Sequence, residues 1–150
     1  ADAASRRQGM EALAPLVHSY VDALLEEHGL DPRRAMLLGF SQGCGVALHV
    51  GLRRERELAG IVAFSGGIGA GSDLKHELKS RPPVCLIHGE DDDVIPAERA
   101  RAGAKLLAEL GVPHELHVLE RLRHHINDQG IELALVFLQR VLSRPAPARA

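Results

Sequence analysis

Four short apolar runs punctuate the chain, at residues 35–40 (AMLLGF), 58–64, 83–88 (PVCLIH) and 114–119. Runs of this length, bounded by turn residues, are expected to be strands. The first is apolar enough to be buried on both faces, whereas the fourth alternates more and is expected nearer a sheet edge. Amphipathic stretches separate the runs. Met10, Leu13, Leu16, Val17, Tyr20, Leu24 and Leu25 recur at helical spacing and predict a helix ending near Gly29. Residues 41–54 predict a second helix with Val46, Ala47 and Val50 inward, and residues 73–79 a short one. Residues 96–110 predict a helix with Pro96 in its first turn and Gly111 as its stop. A last helix is expected at 127–142, with Ile131, Leu135, Leu138 and Leu142 facing in. Strands joined by helical crossovers make a mainly parallel sheet covered by helices on both faces, an α/β fold. In such sheets, chemistry gathers at the carboxyl ends of the strands.

A chain of 150 residues with 45% apolar content suits one domain with one real core. The net charge of -2 and the 3% aromatic content give nothing for nucleic acid or an anionic membrane to hold. No stretch reaches the roughly 20 apolar residues of a membrane span. Cys44 and Cys85 both lie in apolar surroundings, so they are expected to be free buried thiols in a reducing, cytoplasmic setting. The ending RPAPARA predicts a disordered tail over 143–150. The chain opens Ala1-Asp2-Ala3 without Met, and its true N-terminus is expected to lie further upstream.

Gly39-Phe40-Ser41-Gln42-Gly43 matches G-x-S-x-G and stands between an expected strand and an expected helix, the context this motif requires. A serine on that sharp turn has its hydroxyl held out above the sheet by strained backbone. Glycine at 39 and 43 is expected to let helix and strand approach closely. The helix N-terminus offers free N–H groups, and that of Gln42 is expected to be an oxyanion donor. The loop Ser65-Gly66-Gly67, with Gly69 and Gly71 beyond, follows the second strand, and an apolar acyl-binding surface is expected near Ile68.

After the third strand come four acids in a row, Glu90, Asp91, Asp92 and Asp93. A carboxylate at a strand end can orient an imidazole and offset its charge. Position alone does not choose among the four. After the fourth strand come His124 and His125, where a general base would stand. Adjacent histidines point differently, so one of them is expected to reach Ser41. His18, His28, His49, His76, His114 and His117 are expected to pack or to lie on the surface, none sharing a face with a carboxylate at metal-ligand spacing. His88 is expected to pack or hydrogen-bond within its turn. Neither a metal nor a cofactor is implied.

Three segments together resemble the phospholipase/carboxylesterase family of α/β-hydrolases, which includes the acyl-protein thioesterases. GFSQG (39–43) resembles the family's nucleophile segment. HGEDDDVIP (88–96) resembles its acid segment, in a register that selects Asp92. HHIND (124–128) resembles its base segment, in a register that selects His124. DPRR (31–34) has the family's character too, and the likeness runs over about residues 8–142. Two departures stand out. Arg121, Leu122 and Arg123 occupy places where the family commonly has glycines, and Asp93 stands where it often has Pro.

The resemblance implies the C-terminal part of an α/β-hydrolase domain (1–142) that lacks its N-terminal strands and, with them, a second oxyanion donor. It implies a serine hydrolase acting on small carboxylic esters or thioesters through Ser41, Asp92 and His124. The first strand would then be an apolar edge, open to self-association as a homo-oligomer. The rival expectation is a non-catalytic remnant of the fold that associates through that edge.

Overall fold

The computed structural model describes residues 3–69 and 73–145. Helix α1 (Ala3–Glu27) is followed by a 3₁₀ turn at Pro32–Arg34 and strand β1 (Met36–Phe40). Then come α2 (Gln42–Leu52), β2 (Gly60–Phe64), the one-turn α3 (Leu74–Glu77) and β3 (Val84–Gly89). Helix α4 (Glu98–Glu109), β4 (His114–Leu119) and α5 (Asp128–Leu142) complete the order. The punctuation is local. Asp31 caps the 3₁₀ turn through its side chain, Asn127 caps α5 by accepting from the Gly130 N–H, and Gly111, at φ 67°, stops the run after α4. The expected tail reaches the described residues only through 145, and residues 146–150 lie outside them, as does Gly71 of the loop after β2.

The four strands are all parallel and pair in chain order, β1-β2-β3-β4. A monotonic order with right-handed crossovers puts every intervening helix on one face. Cys44, Leu48 and Leu52 of α2, Leu74 of α3 and Leu107 of α4 accordingly bury one face of the sheet together with Ile61, Ala63, Val84 and Leu86. Helix α5, arriving after the last strand, covers the opposite face against Val62, Phe64, Cys85 and Ile87. Among the described residues no helix is long and apolar enough to cross a membrane.

Three sequence expectations change. In α5 the inward stripe is Gly130, Ala134, Phe137 and Val141, while Ile131 and Leu135 stand 47% and 52% exposed. Small residues let this helix lie close to the sheet. Phe137 sits over Gly60, where an added Cβ would come 3.0 Å from its ring. In α1 the buried residues include Ala14 and Leu25, and Leu13, Leu16, Tyr20 and Leu24 face outward. Strand β1 is not buried on both faces. Leu37 packs into the core beneath α2, but Leu38 is 61% exposed, because it is on the sheet face that α5 covers and α5 lies over β2 and β3.

Candidate active site

The carboxyl end of β1 leads straight into α2, and Ser41 is the whole connection. Its backbone stands at φ 54°, ψ -115°, a conformation that costs a non-glycine residue about 1–3 kcal/mol. The strain is held by the Ser41 N–H donating to the Phe64 carbonyl at 2.9 Å and the Cys44 N–H donating to the Ser41 carbonyl at 3.1 Å. Gly39 makes the turn feasible, since a Cβ there would lie 2.0 Å from the Gly43 carbonyl oxygen. Gly43 does not have the matching role expected of it, because a Cβ there would meet nothing within 4 Å. Gly66 is the second close approach. A Cβ on it would strike Cys44 Sγ at 2.7 Å, so the loop after β2 lies tight against the elbow. Gln42 opens α2, and its N–H is one of the first-turn amides that lack an intrahelical acceptor.

Ser41 Oγ lies 2.9 Å from His124 Nε2, and His124 Nδ1 lies 2.8 Å from Asp92 Oδ2. His125 is exposed, and its backbone N–H donates to the Arg123 carbonyl. Of the four acids only Asp92 is buried. Glu90 and Asp91 face solvent, and Asp93 pairs with Arg123 at the surface. Asp92 Oδ1 accepts the N–H groups of Val94 at 2.9 Å and Ile95 at 2.8 Å. Burial pushes the Asp92 carboxyl up. The bond to His124 and the two backbone amides outweigh that push and hold it below the usual carboxylate range.

The acid loop and the base loop are tied to each other. The N–H groups of Glu90 and Asp91 donate to the Leu119 and Leu122 carbonyls at 2.9 and 3.0 Å. A Cβ on Gly89 would lie 2.2 Å from the Leu122 carbonyl oxygen, so the loops touch backbone to backbone. Arg121 has φ 55°, the left-handed backbone that a glycine adopts freely. His88, 1% exposed, lies with Nε2 2.8 Å from the Ile95 carbonyl oxygen and 3.2 Å from Asp92 Oδ2. Its ring thus holds the acid turn from below, as a hydrogen bond within the turn.

One neighbour of the triad is not marked as a site residue by sequence. The Phe40 ring lies 5.0 Å from the His124 ring, tilted by 41°, and flanks the imidazole. In the sequence Phe40 stands at a variable place of the motif, within the segment that resembles the family's nucleophile. His117 does share a face with a carboxylate, contrary to expectation. Its Nε2 lies 3.1 Å from Glu115 Oε1, two residues back on β4. Ile68, in the loop after β2, is half-buried and packs against the core beneath α2 and α4.

This arrangement can move a proton from a hydroxyl to an imidazole that a buried carboxylate orients. Known proteins resemble this chain. The esterase PE8 crystal structure superposes with a TM-score of 0.90 at 37% identity, over 95% of this chain and 66% of that one. Acyl-protein thioesterase 1 of Gibberella zeae is 28% identical over 90% of this chain and 59% of its own length. A rice (Oryza sativa subsp. japonica) protein named probable inactive carboxylesterase is 28% identical over 85% of this chain and 53% of its own. The chain therefore spans little more than half the length of these curated relatives. The phospholipase/carboxylesterase family model matches residues 1–142, and on that match, with the α/β-hydrolase architecture around it, the chain belongs to this family.

Proposed function

We propose that this chain cleaves carboxylic esters or thioesters of small acyl substrates through an acyl-enzyme on Ser41. The observation that carries the reading is the unbroken line of short contacts from Ser41 Oγ through His124 to Asp92. In this mechanism His124 Nδ1–H donates to Asp92, which leaves Nε2 to accept the Ser41 proton as Oγ attacks the carbonyl carbon. The developing oxyanion takes a hydrogen bond from the Gln42 N–H at the positive end of α2. The tetrahedral intermediate collapses, and the leaving alcohol or thiol departs with the proton from His124. Water, deprotonated by His124, then attacks the acyl carbon, and Ser41 recovers its proton as the carboxylic acid leaves. Asp92 stays ionised throughout and offsets the imidazolium. The residues around Ile68, in the loop that closes on the elbow, are proposed as the acyl-binding surface. The cycle calls for no cofactor.

Residues 1–142 are read as one α/β-hydrolase domain. Two buried, unbridged thiols, Cys44 and Cys85, suit a reducing cytoplasmic compartment. A second reading rests on one observation, the 61% exposure of Leu38 on an edge strand. An apolar edge of this kind favours strand-to-strand association of copies, with or without catalysis.

The test is labelling by a fluorophosphonate probe, comparing the chain with Ser41→Ala and His124→Ala. Loss of labelling in both supports the acyl-transfer reading. Labelling that survives Ser41→Ala, or a folded wild type that never labels, refutes it and leaves the association reading.

A further inference from the structure

On β4, Glu115 and His117 are two residues apart and so project to the same face of the sheet. The register pairs Glu115 with Cys85 of β3, which brings the thiol to that face as well. The result is a thiol, a carboxylate and an imidazole whose ligand atoms all lie within 4.8 Å of one another. We propose that Cys85, Glu115 and His117 form a divalent-metal site of the zinc type, separate from the triad.

Three features of the chemistry favour it. A thiolate, an imidazole and a carboxylate form a borderline-soft donor set that suits Zn²⁺ better than Mg²⁺ or Ca²⁺. Tetrahedral Zn²⁺ at about 2.0–2.3 Å from its ligands sets them about 3.3–3.8 Å apart, so the widest pair here closes by about 1–1.5 Å at most. Glu115 also has an outer partner. Arg140 of α5 pairs with its Oε2 while His117 faces Oε1, so one oxygen can ligate and the other stay anchored.

Access is available. Glu115 and His117 are half-exposed, and a surface pocket lined by Pro83, His114, Glu115, Phe137 and Arg140 opens beside them. Water can complete the coordination from that side. Cys85 is a thiol when the site is empty, because burial and then the Glu115 carboxylate push it up to about 12. On binding, the metal takes the sulfur lone pair and the thiol proton passes to solvent.

The site lies among side chains along β3 and β4, whereas Ser41 follows the carboxyl end of β1. A metal here would clamp the outer strand β4 to β3 and α5, and no step of acyl transfer passes through it.

Cobalt is the probe, because a cobalt–thiolate bond gives a near-ultraviolet charge-transfer band that imidazole and carboxylate alone do not. Titration of the untagged, reduced full chain with Co²⁺ is expected to give this band with a 1:1 endpoint, and Zn²⁺ should abolish it. Cys85→Ser should remove the band. His117→Gln, at a half-exposed position that tolerates it, should weaken Co²⁺ binding by at least the about 10–100-fold that losing an outer partner costs. Circular dichroism of both variants confirms their fold. A folded wild type with no band overturns the proposal, as does a band that survives Cys85→Ser or binds equally well in His117→Gln.

Discussion

Gly39→Ala tests the elbow at its tightest point. The new methyl carbon would lie 2.0 Å from the Gly43 carbonyl oxygen, 2.3 Å from the Gly43 carbonyl carbon and 2.6 Å from the Cys44 nitrogen. All three are backbone atoms, so no side chain can swing aside. Reaching an ordinary contact of 3.4 Å from 2.0 Å requires the start of α2 to retreat from β1 by about 1.4 Å. Overpacking of this kind costs about 1–3 kcal/mol, occasionally more. At about 2–4 °C per kcal/mol for a chain of this size, Tm should fall by about 2–12 °C. The retreat also carries Ser41 away from His124, and a misplacement of about 1 Å can cost about 10²-fold in rate. Gly43→Ala is the matched control. Its Cβ meets nothing within 4 Å, and alanine in a helix is favoured over glycine by about 0.5–1 kcal/mol. Calorimetry and the fluorophosphonate labelling rate should therefore separate the two variants, with Gly39→Ala losing both stability and rate and Gly43→Ala keeping both. Wild-type Tm and labelling in Gly39→Ala would refute the reasoning.

Asp92→Asn keeps the shape of the acid but no longer stabilises the imidazolium or its required tautomer, and the labelling rate should fall by about 10⁴-fold; a loss under tenfold would remove Asp92 from the proposed triad. The same pair of chains reports on pH. A carboxyl held below its ordinary value contributes stability above that value and loses it as pH falls through the lowered one. The wild type's Tm advantage attributable to Asp92 ionisation should thus hold from neutral pH down to about 3.9 and shrink only below it; shrinkage already above about pH 5 would contradict the lowered carboxyl. Asn127→Ala removes the α5 cap, in which the side chain accepts from the Gly130 N–H at 2.9 Å, and should cost about 0.5–2 kcal/mol in chemical denaturation. Cys44 and Cys85 are both pushed up to about 12, foremost by burial, so neither should react with a disulfide reagent at neutral pH in the folded, metal-free chain, and both should react once it is unfolded.

The order of strands and helices was legible because each apolar run is short and each crossover stretch is periodic. Which side of a helix faces inward was not always legible. In α5 the stripe Ile131, Leu135, Leu138, Leu142 and the stripe Gly130, Ala134, Phe137, Val141 differ by one position, and both have helical period. Leucines make the first look like the core, yet close docking over Gly60 selects the stripe with small residues at its start. The same ambiguity affects α1, where Ala14 is buried and Leu13 is not. At the candidate site, Ser41 stands out in sequence because its turn needs glycine in a fixed place. Asp92 and His124 do not stand out from their neighbours by composition. What separates them is three-dimensional. Asp92 alone turns inward to take two backbone amides, and His124 alone turns toward Ser41. The Cys85, Glu115 and His117 cluster spans two strands, and only their register brings it together.

The strand order has a bearing on how the molecule comes into being. Each strand pairs with the one before it, so a chain leaving the ribosome can add strands one at a time without waiting for a distant partner. Ser41 and its strained turn precede His124 by 83 residues. At translation speeds of about 5–20 residues per second, that separation amounts to about 4–17 s. During this interval the elbow exists with no imidazole beside it. A nascent chain stalled before His124 would hold Ser41 without the imidazole that the proposed chemistry requires.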